Sequence, residues 1–148
     1  MVEIFEVPVH LAKGVWEELH TPLVSAMRYH EGMDVDDLLM LCEAGHVTML
    51  VAAVEDEIKG VFIIRLVQFP KKRMCEMVAV AGKNGQTRSW IKEMLKFLDD
   101  FAMKNDCDFI YGIGRKGWMV AKGYGYKAES RAILRKELKQ WPEAVEAT

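Results

Sequence analysis

The residues best placed for chemistry lie between Val78 and Arg88. The run Val78-Ala79-Val80-Ala81-Gly82-Lys83-Asn84-Gly85-Gln86-Thr87 leads into a strongly periodic segment that starts near Arg88. An apolar strand, a glycine-bearing loop and a helix N-terminus converge their backbone N–H groups on one spot, a natural seat for an anion. Lys83 and Arg88 would add positive charge there, and Val78 and Val80 could offer backbone groups to an extended ligand arm. A βα connection that uses glycine for a positive φ explains the same residues. Glu76, two residues before Val78, would share a strand face with Val78 and Val80 by simple alternation. In an apolar cleft such a carboxylate can act as a general base toward an ammonium nucleophile. Pairing with Arg65 or Arg73 is the structural alternative. Tyr111, Tyr124 and Tyr126 could serve as acids, or as amphipathic core and rim residues.

These groups need a scaffold, and the sequence supplies one. The chain has 148 residues, 51% hydrophobic and 28% charged, enough for one domain with its own core. A net charge of −2 does not imply wholesale nucleic-acid binding. The basic runs Lys71-Lys72-Arg73 and Arg131 to Lys139 read as solvated strand ends or binding patches. Cys42, Cys75 and Cys107 are odd in number, far apart and without metal-ligand spacing, and they read as small buried hydrophobes. His10, His20, His30 and His46 share no motif, so no metal is expected. The first residues carry no basic leader, and no apolar run approaches membrane-spanning length, which leads us to expect a cytoplasmic protein.

Periodicity predicts a strand over Glu3–Val7 and a helix over Leu11–Tyr29, with Val15, Leu19, Leu23 and Met27 on one face and a kink or restart at Thr21-Pro22. A second helix is capped by Asp34, buries Val35, Leu38, Leu39 and Cys42, and stops at Gly45. Strands over Val47–Val54 and Ile58–Phe69 form a hairpin around Glu55-Asp56-Glu57, and Met74–Val80 adds a third. The helix over Ser89–Lys104 buries Trp90, Ile91, Met94, Leu95, Leu98, Phe101 and Ala102. A strand over Phe109–Ile113, a short helix around Trp118–Lys122 and a strand over Lys127–Leu138 complete the pattern. The expected domain spans residues 1–140, with a loose tail over 141–148.

The resulting order, β-α-α-β-β-β-α-β-α-β, resembles the GNAT superfamily of N-acetyltransferases over almost the whole chain. The resemblance implies an α/β fold with a central mixed, mostly antiparallel sheet flanked by helices. It also implies an acetyl-CoA site at Val78, Val80 and the loop Gly82, Lys83, Asn84, Gly85, Gln86, Thr87 and Arg88, with an amine as acceptor. Glu76 and Tyr124 are the catalytic candidates it suggests. Gly125-Tyr126 stands where the family carries a Gly-aromatic pair. The six loop residues depart from the family's Q/R-x-x-G-x-G/A, since Gly82 replaces the Gln or Arg and Thr87 the last small residue. Thr87 could still cap the helix and donate its hydroxyl to a phosphate. Ala121 stands where a catalytic tyrosine is common. Cys107-Asp108-Phe109-Ile110 with Gly114-Arg115-Lys116-Gly117-Trp118, and Trp90, resemble small GNAT-like proteins of tailed phages, some of them head-assembly or virion proteins. That narrower resemblance implies protein partners in a phage particle, weak or no catalysis, and a place in the host cytoplasm or the virion.

Overall fold

The computed structural model describes residues 1–28, 30, 32–85, 87–113, 123–129 and 134–138. Strand β1 covers Val2–Glu6. Helices α1 (Ala12–Glu18), α2 (His20–Met27) and α3 (Val35–Glu43) follow, then strands β2 (Thr48–Val54), β3 (Glu57–Gln68) and β4 (Arg73–Gly82). Helix α4 (Ile91–Lys104) crosses over to strand β5 (Phe109–Gly112).

Among the described residues the sheet runs β1-β2-β3-β4-β5, antiparallel except for the parallel β4–β5 pair. Glu55 and Asp56 both have positive φ, as a two-residue hairpin turn of matching twist requires. The parallel pair follows from α4, because only a crossover connection brings β5 back in the direction of β4.

The expected restart is present one residue before Thr21-Pro22, since α1 ends at Glu18 and α2 begins at His20. The break falls at Leu19, and Pro22 sits in the first turn of α2, where no intrahelical N–H is missed. Val15, Leu19, Leu23 and Met27 are all buried, so the apolar face persists across the break. Asp34 caps α3 in a reciprocal capping box with Asp37. Gly45, at φ 78°, follows its end.

The sheet carries a core on each face. Helices α1 to α3 cover Met49, Val51, Val61, Ile63, Ala79 and Ala81. Helix α4 covers Leu50, Phe62, Ile64 and Cys75 with its buried stripe Trp90, Ile91, Met94, Leu95, Leu98 and Ala102. Phe101 of the same stripe is half-buried. The expected strand over Lys127–Leu138 is not formed in the described parts of that stretch, 127–129 and 134–138. The expected short helix at Trp118–Lys122 and the tail over 141–148 lie outside the described residues, as do Gln86, Arg115 and Ala121.

Candidate functional site

Strand β4 is longer than its parallel neighbour allows. Its rungs with β5 run from Met74–Phe109 to Met77–Gly112 and stop there. β4 continues to Gly82 while its other side stays paired with β3. Among the described residues, the β5-side edge of β4 from Val78 to Gly82 is therefore unpaired. Unpaired strand N–H and C=O groups can take up an extended amide-bearing chain.

A β-bulge lies within the same stretch. Ile64 pairs with Met77 and Ile63 with Ala79, so Val78 is the extra residue. The bulge reverses the alternation along β4. Cys75 and Met77 pack on the α4 side, and beyond the bulge Val80 does so, while Val78 packs toward α1 to α3. This corrects the reading from simple alternation, since Val78 and Val80 belong to opposite faces of the sheet.

Glu76 stands opposite Arg65 on β3 and opposite Tyr111 on β5. Arg65 donates two hydrogen bonds to Glu76 Oε1, from Nε at 2.9 Å and from a terminal guanidinium nitrogen. The alternative to a catalytic base, a strand carboxylate paired with Arg65, is the arrangement present. Arg73 instead uses its backbone, donating its N–H to Asp108 Oδ2 at 2.8 Å. Tyr124 is exposed. Tyr126 packs on the α4-side core, and burial, with Asp99 and Cys75 adding, pushes its phenol above the ordinary tyrosine value. Such a phenol is a poor proton donor near neutrality.

The loop after β4 forms two short 3₁₀ turns, Lys83–Gly85 and Thr87–Ser89. The αL conformation is taken by Asn84, at φ 52°, a residue type that tolerates it. Lys83 Nζ lies 3.3 Å from Glu18 Oε2 and ties the loop to α1. Thr87 is not the cap of α4. The N-cap is Trp90, without a side-chain cap bond, and the Trp90 N–H donates to the Thr87 carbonyl at 3.1 Å.

Gly82 has a packing role that its sequence position did not reveal. It pairs with Gly60 across β3 and β4, and the Trp90 ring lies against both. A Cβ on Gly60 would run into the indole. A Cβ on Gly82 would stand 2.9 Å from Thr87 Oγ1 and 3.1 Å from Trp90 Cζ2. Trp90 is fully buried, and its Nε1 is without a hydrogen-bond partner. The space over Gly82 is thus taken by Thr87 and Trp90, and glycine at 60 and 82 is what lets the indole lie on the sheet. Among the described residues no cluster of His, Cys, Asp and Glu could hold a metal ion.

Comparison with solved structures decides the architecture. An aminoglycoside acetyltransferase from an uncultured soil metagenomic sample, in complex with sisomicin, matches at a TM-score of 0.69 and 14% identity, over 94% of this chain and 97% of that one. The GNAT acetyltransferase fold is the fold of this chain. A ribosomal-protein-alanine N-acetyltransferase from Brucella melitensis biovar Abortus 2308 also matches at 0.69 and 14%, over 93% and 99% of the two chains. An aminoglycoside N-acetyltransferase in complex with CoA matches at 0.68 and 12%, over 94% and 96%. No family model matches the sequence, and neither does any curated protein. In GNAT terms, the divergence of β4 from β5 and the loop into α4 are where the resemblance put the cofactor. No described helix is long and apolar enough to cross a membrane.

Proposed function

We propose that this protein binds an acyl-CoA through the free edge of β4 and the loop Gly82–Arg88, with weak or no transfer of the acyl group to an amine. The carrying observation is that, among the described residues, β4 runs on from Val78 to Gly82 with an unpaired edge that leads straight into the loop. The edge would pair with the amides of a pantetheine arm, and the loop N–H groups with a pyrophosphate. The bound thioester would supply the acyl group. Asn84, Thr87 and Arg88 border the seat, and Lys83, held by Glu18, brings positive charge beside it.

Weak turnover is supported by the state of the acid–base candidates. Glu76 is held by Arg65, and the half-buried Tyr126 has its phenol raised above the ordinary value by burial. Removing a proton from an ammonium acceptor would then fall to water, without a positioned base. Calorimetry with acetyl-CoA and with CoA tests the reading. Micromolar binding with no amine-dependent CoA release is the expected result. Release that depends on an amine and disappears in Glu76→Gln would make the protein an N-acyltransferase with Glu76 as its base.

The same engagement of Glu76, together with Ala121 and the tailed-phage resemblance around Cys107–Ile110 and Trp90, supports a second reading. In it the chain is an assembly part of a phage particle that keeps the fold and has lost the cofactor. That reading requires that neither acetyl-CoA nor CoA binds, so one titration separates the two.

A further inference from the structure

The basic run Lys71-Lys72-Arg73 lies where β3 turns into β4, at the end of β4 opposite the loop Gly82–Arg88, and the acyl-CoA reading does not use it. Phe69, Pro70, Lys71, Lys72 and Phe109 line one shallow surface cavity of about 510 Å³. Ile110 packs on the α4 side, so alternation turns Phe109 and Tyr111 to the other face of the sheet. Phe69, Phe109 and Tyr111 are 39–44% exposed, and none of them belongs to either core. Three large rings on open surface beside two lysines form a patch, where scattered single apolar residues would need no explanation. The backbone beneath is braced. Phe69 donates its N–H to the Lys72 carbonyl at 2.8 Å, and Gln68 Nε2 donates to the Phe69 carbonyl at 2.7 Å. Arg73 donates its N–H to Asp108 Oδ2, and the Asp108 N–H donates to the Arg73 carbonyl at 2.7 Å, which fastens the start of β5 beside the turn. Pro70 adds its fixed φ.

We propose that this end of the sheet is a docking patch for a short stretch of single-stranded nucleic acid, with bases stacked on Phe69 and Phe109 and phosphates beside Lys71 and Lys72. The inference is independent of the acyl-CoA reading. Charge sets the sign of the partner. Lys71 and Lys72 are exposed, and among the described residues neither makes an ion pair. Arg73 shares the surroundings of the Cys107 thiol with Asp106 and Asp108, so the positive charge of the run rests on the two lysines. The turn already uses the Phe69 N–H and the Phe69 and Lys72 carbonyls internally, so an extended peptide finds no strand edge to lengthen there. Recognition falls to ring faces and to compact point charges. A flat base on an anionic backbone meets both, and every base has a face to stack. An acidic peptide supplies the charge without the stacking faces, and its carboxylates are matched better by the planar fork of arginine than by lysine. The net charge of −2 keeps the contact local, with two phosphates held rather than a long track of them.

Fluorescence anisotropy of a short labelled oligothymidylate, titrated with the full chain, tests the patch. The expected result is saturable binding at low salt that weakens as salt rises, with a log–log slope of about −1.4 for two phosphate contacts on a single strand. Phe69→Ala should weaken binding about tenfold, and Phe69→Trp should preserve it, because the ring is what stacks. Lys71→Ala combined with Lys72→Ala should flatten the salt dependence while the thermal midpoint stays in place. Phe109→Ala should act like Phe69→Ala, and if that strand variant fails to fold, Phe69 in the turn carries the test. A duplex of the same length, whose bases are already stacked on one another, should bind more weakly than the single strand. No binding of the oligothymidylate at low salt, or binding that Phe69→Ala leaves intact, overturns the proposal. Displacement by oligoglutamate as readily as by unlabelled oligothymidylate overturns it in favour of an acidic protein segment. Capture by phosphatidylserine vesicles without binding of the oligothymidylate overturns it in favour of a membrane surface.

Discussion

Arg65 decides what Glu76 does in the resting protein. Two N–H groups on one carboxylate oxygen hold Glu76 in a cross-strand pair, and with Arg65 45% exposed such a pair contributes about 0–1 kcal/mol. Glu76→Gln should therefore change the unfolding free energy by less than about 1 kcal/mol. Two glycines, one against a ring and one with open space beside it, should behave in opposite ways. Gly60→Ala drives a Cβ into the rigid Trp90 ring and should cost about 1–3 kcal/mol by overpacking. Gly14→Ala, inside α1 with nothing within 4 Å, should stabilise by about 0.5–1 kcal/mol. Two-state urea titrations check all three, and equal effects at Gly60 and Gly14 would remove Trp90 from beneath the hairpin. The thiols give a further residue-level test. Burial pushes Cys75 up to about 12 and Cys42 up to about 11, while Cys107 is only half-buried. Labelling at mildly alkaline pH should modify Cys107 first and the other two only as the protein unfolds. Cys75 labelled as fast as Cys107 would contradict its place under α4.

At the scale of elements, α3 and α4 carry opposite lessons about what a sequence shows. Asp34 and Asp37 advertise the start of α3, and the capping box is there. The backbone N–H of Asp37, then that of Asp36, holds the Asp34 carboxyl below its ordinary value. A carboxyl lowered by folding stabilises the native state above its unfolded pKa, and that contribution is lost as pH falls through the folded value. The thermal midpoint of Asp34→Ala should thus lie below wild type at neutral pH, with a gap that narrows below about pH 4. A gap that stays constant would mean the cap acts through geometry alone. In α4 the stripe was legible, and Leu98→Ala should cost about 2–5 kcal/mol as a fully buried site while Lys96→Ala stays within about 0.5 kcal/mol. The start of α4 was not legible. Thr87 has the residue type of a cap, whereas the actual N-cap, Trp90, is chosen by the notch between Gly60 and Gly82, a contact between segments far apart in the chain. The bulge at Val78 was hidden for a similar reason, because it is a matter of register with Ile63 and Ile64 and leaves no mark in the composition of β4. Alternation therefore put Glu76, Val78 and Val80 on one face, and the register separates them. Strand existence, order and direction were readable from β-rich runs and the crossover helix. The last expected strand lies in a stretch poor in β-branched and aromatic residues, and its described parts, 127–129 and 134–138, form no ladder.

At the scale of the whole molecule, a shared fold covers this chain and its structural neighbours almost end to end, yet a fold hosts many functions. What separates binding from a filled, silent scaffold is the point where β4 leaves β5. Met77 stands at the last rung there, and its methyl lies so near Gly112 that a Cβ on the glycine would sit 2.7 Å from it. Met77 is half-buried and packs on the α4-side core, so it is both a small part of that core and the side chain at the mouth of the divergence. Met77→Ala separates these roles. Losing core contacts from a partly buried methionine should lower stability by about 1–2 kcal/mol, below the range for fully buried sites. If the divergence is where an acyl-CoA lies, clearing its mouth should leave CoA affinity unchanged or tighter despite that loss. The gain would come from access, since an unflexed thioether no longer has to give way before the ligand's arm reaches the β4 edge. Calorimetry on the folded variant, with the thermal midpoint measured alongside, reads both quantities at once. Weaker binding together with the lower midpoint would assign Met77 to the wall of the seat. Unchanged stability would remove Met77 from the α4-side core.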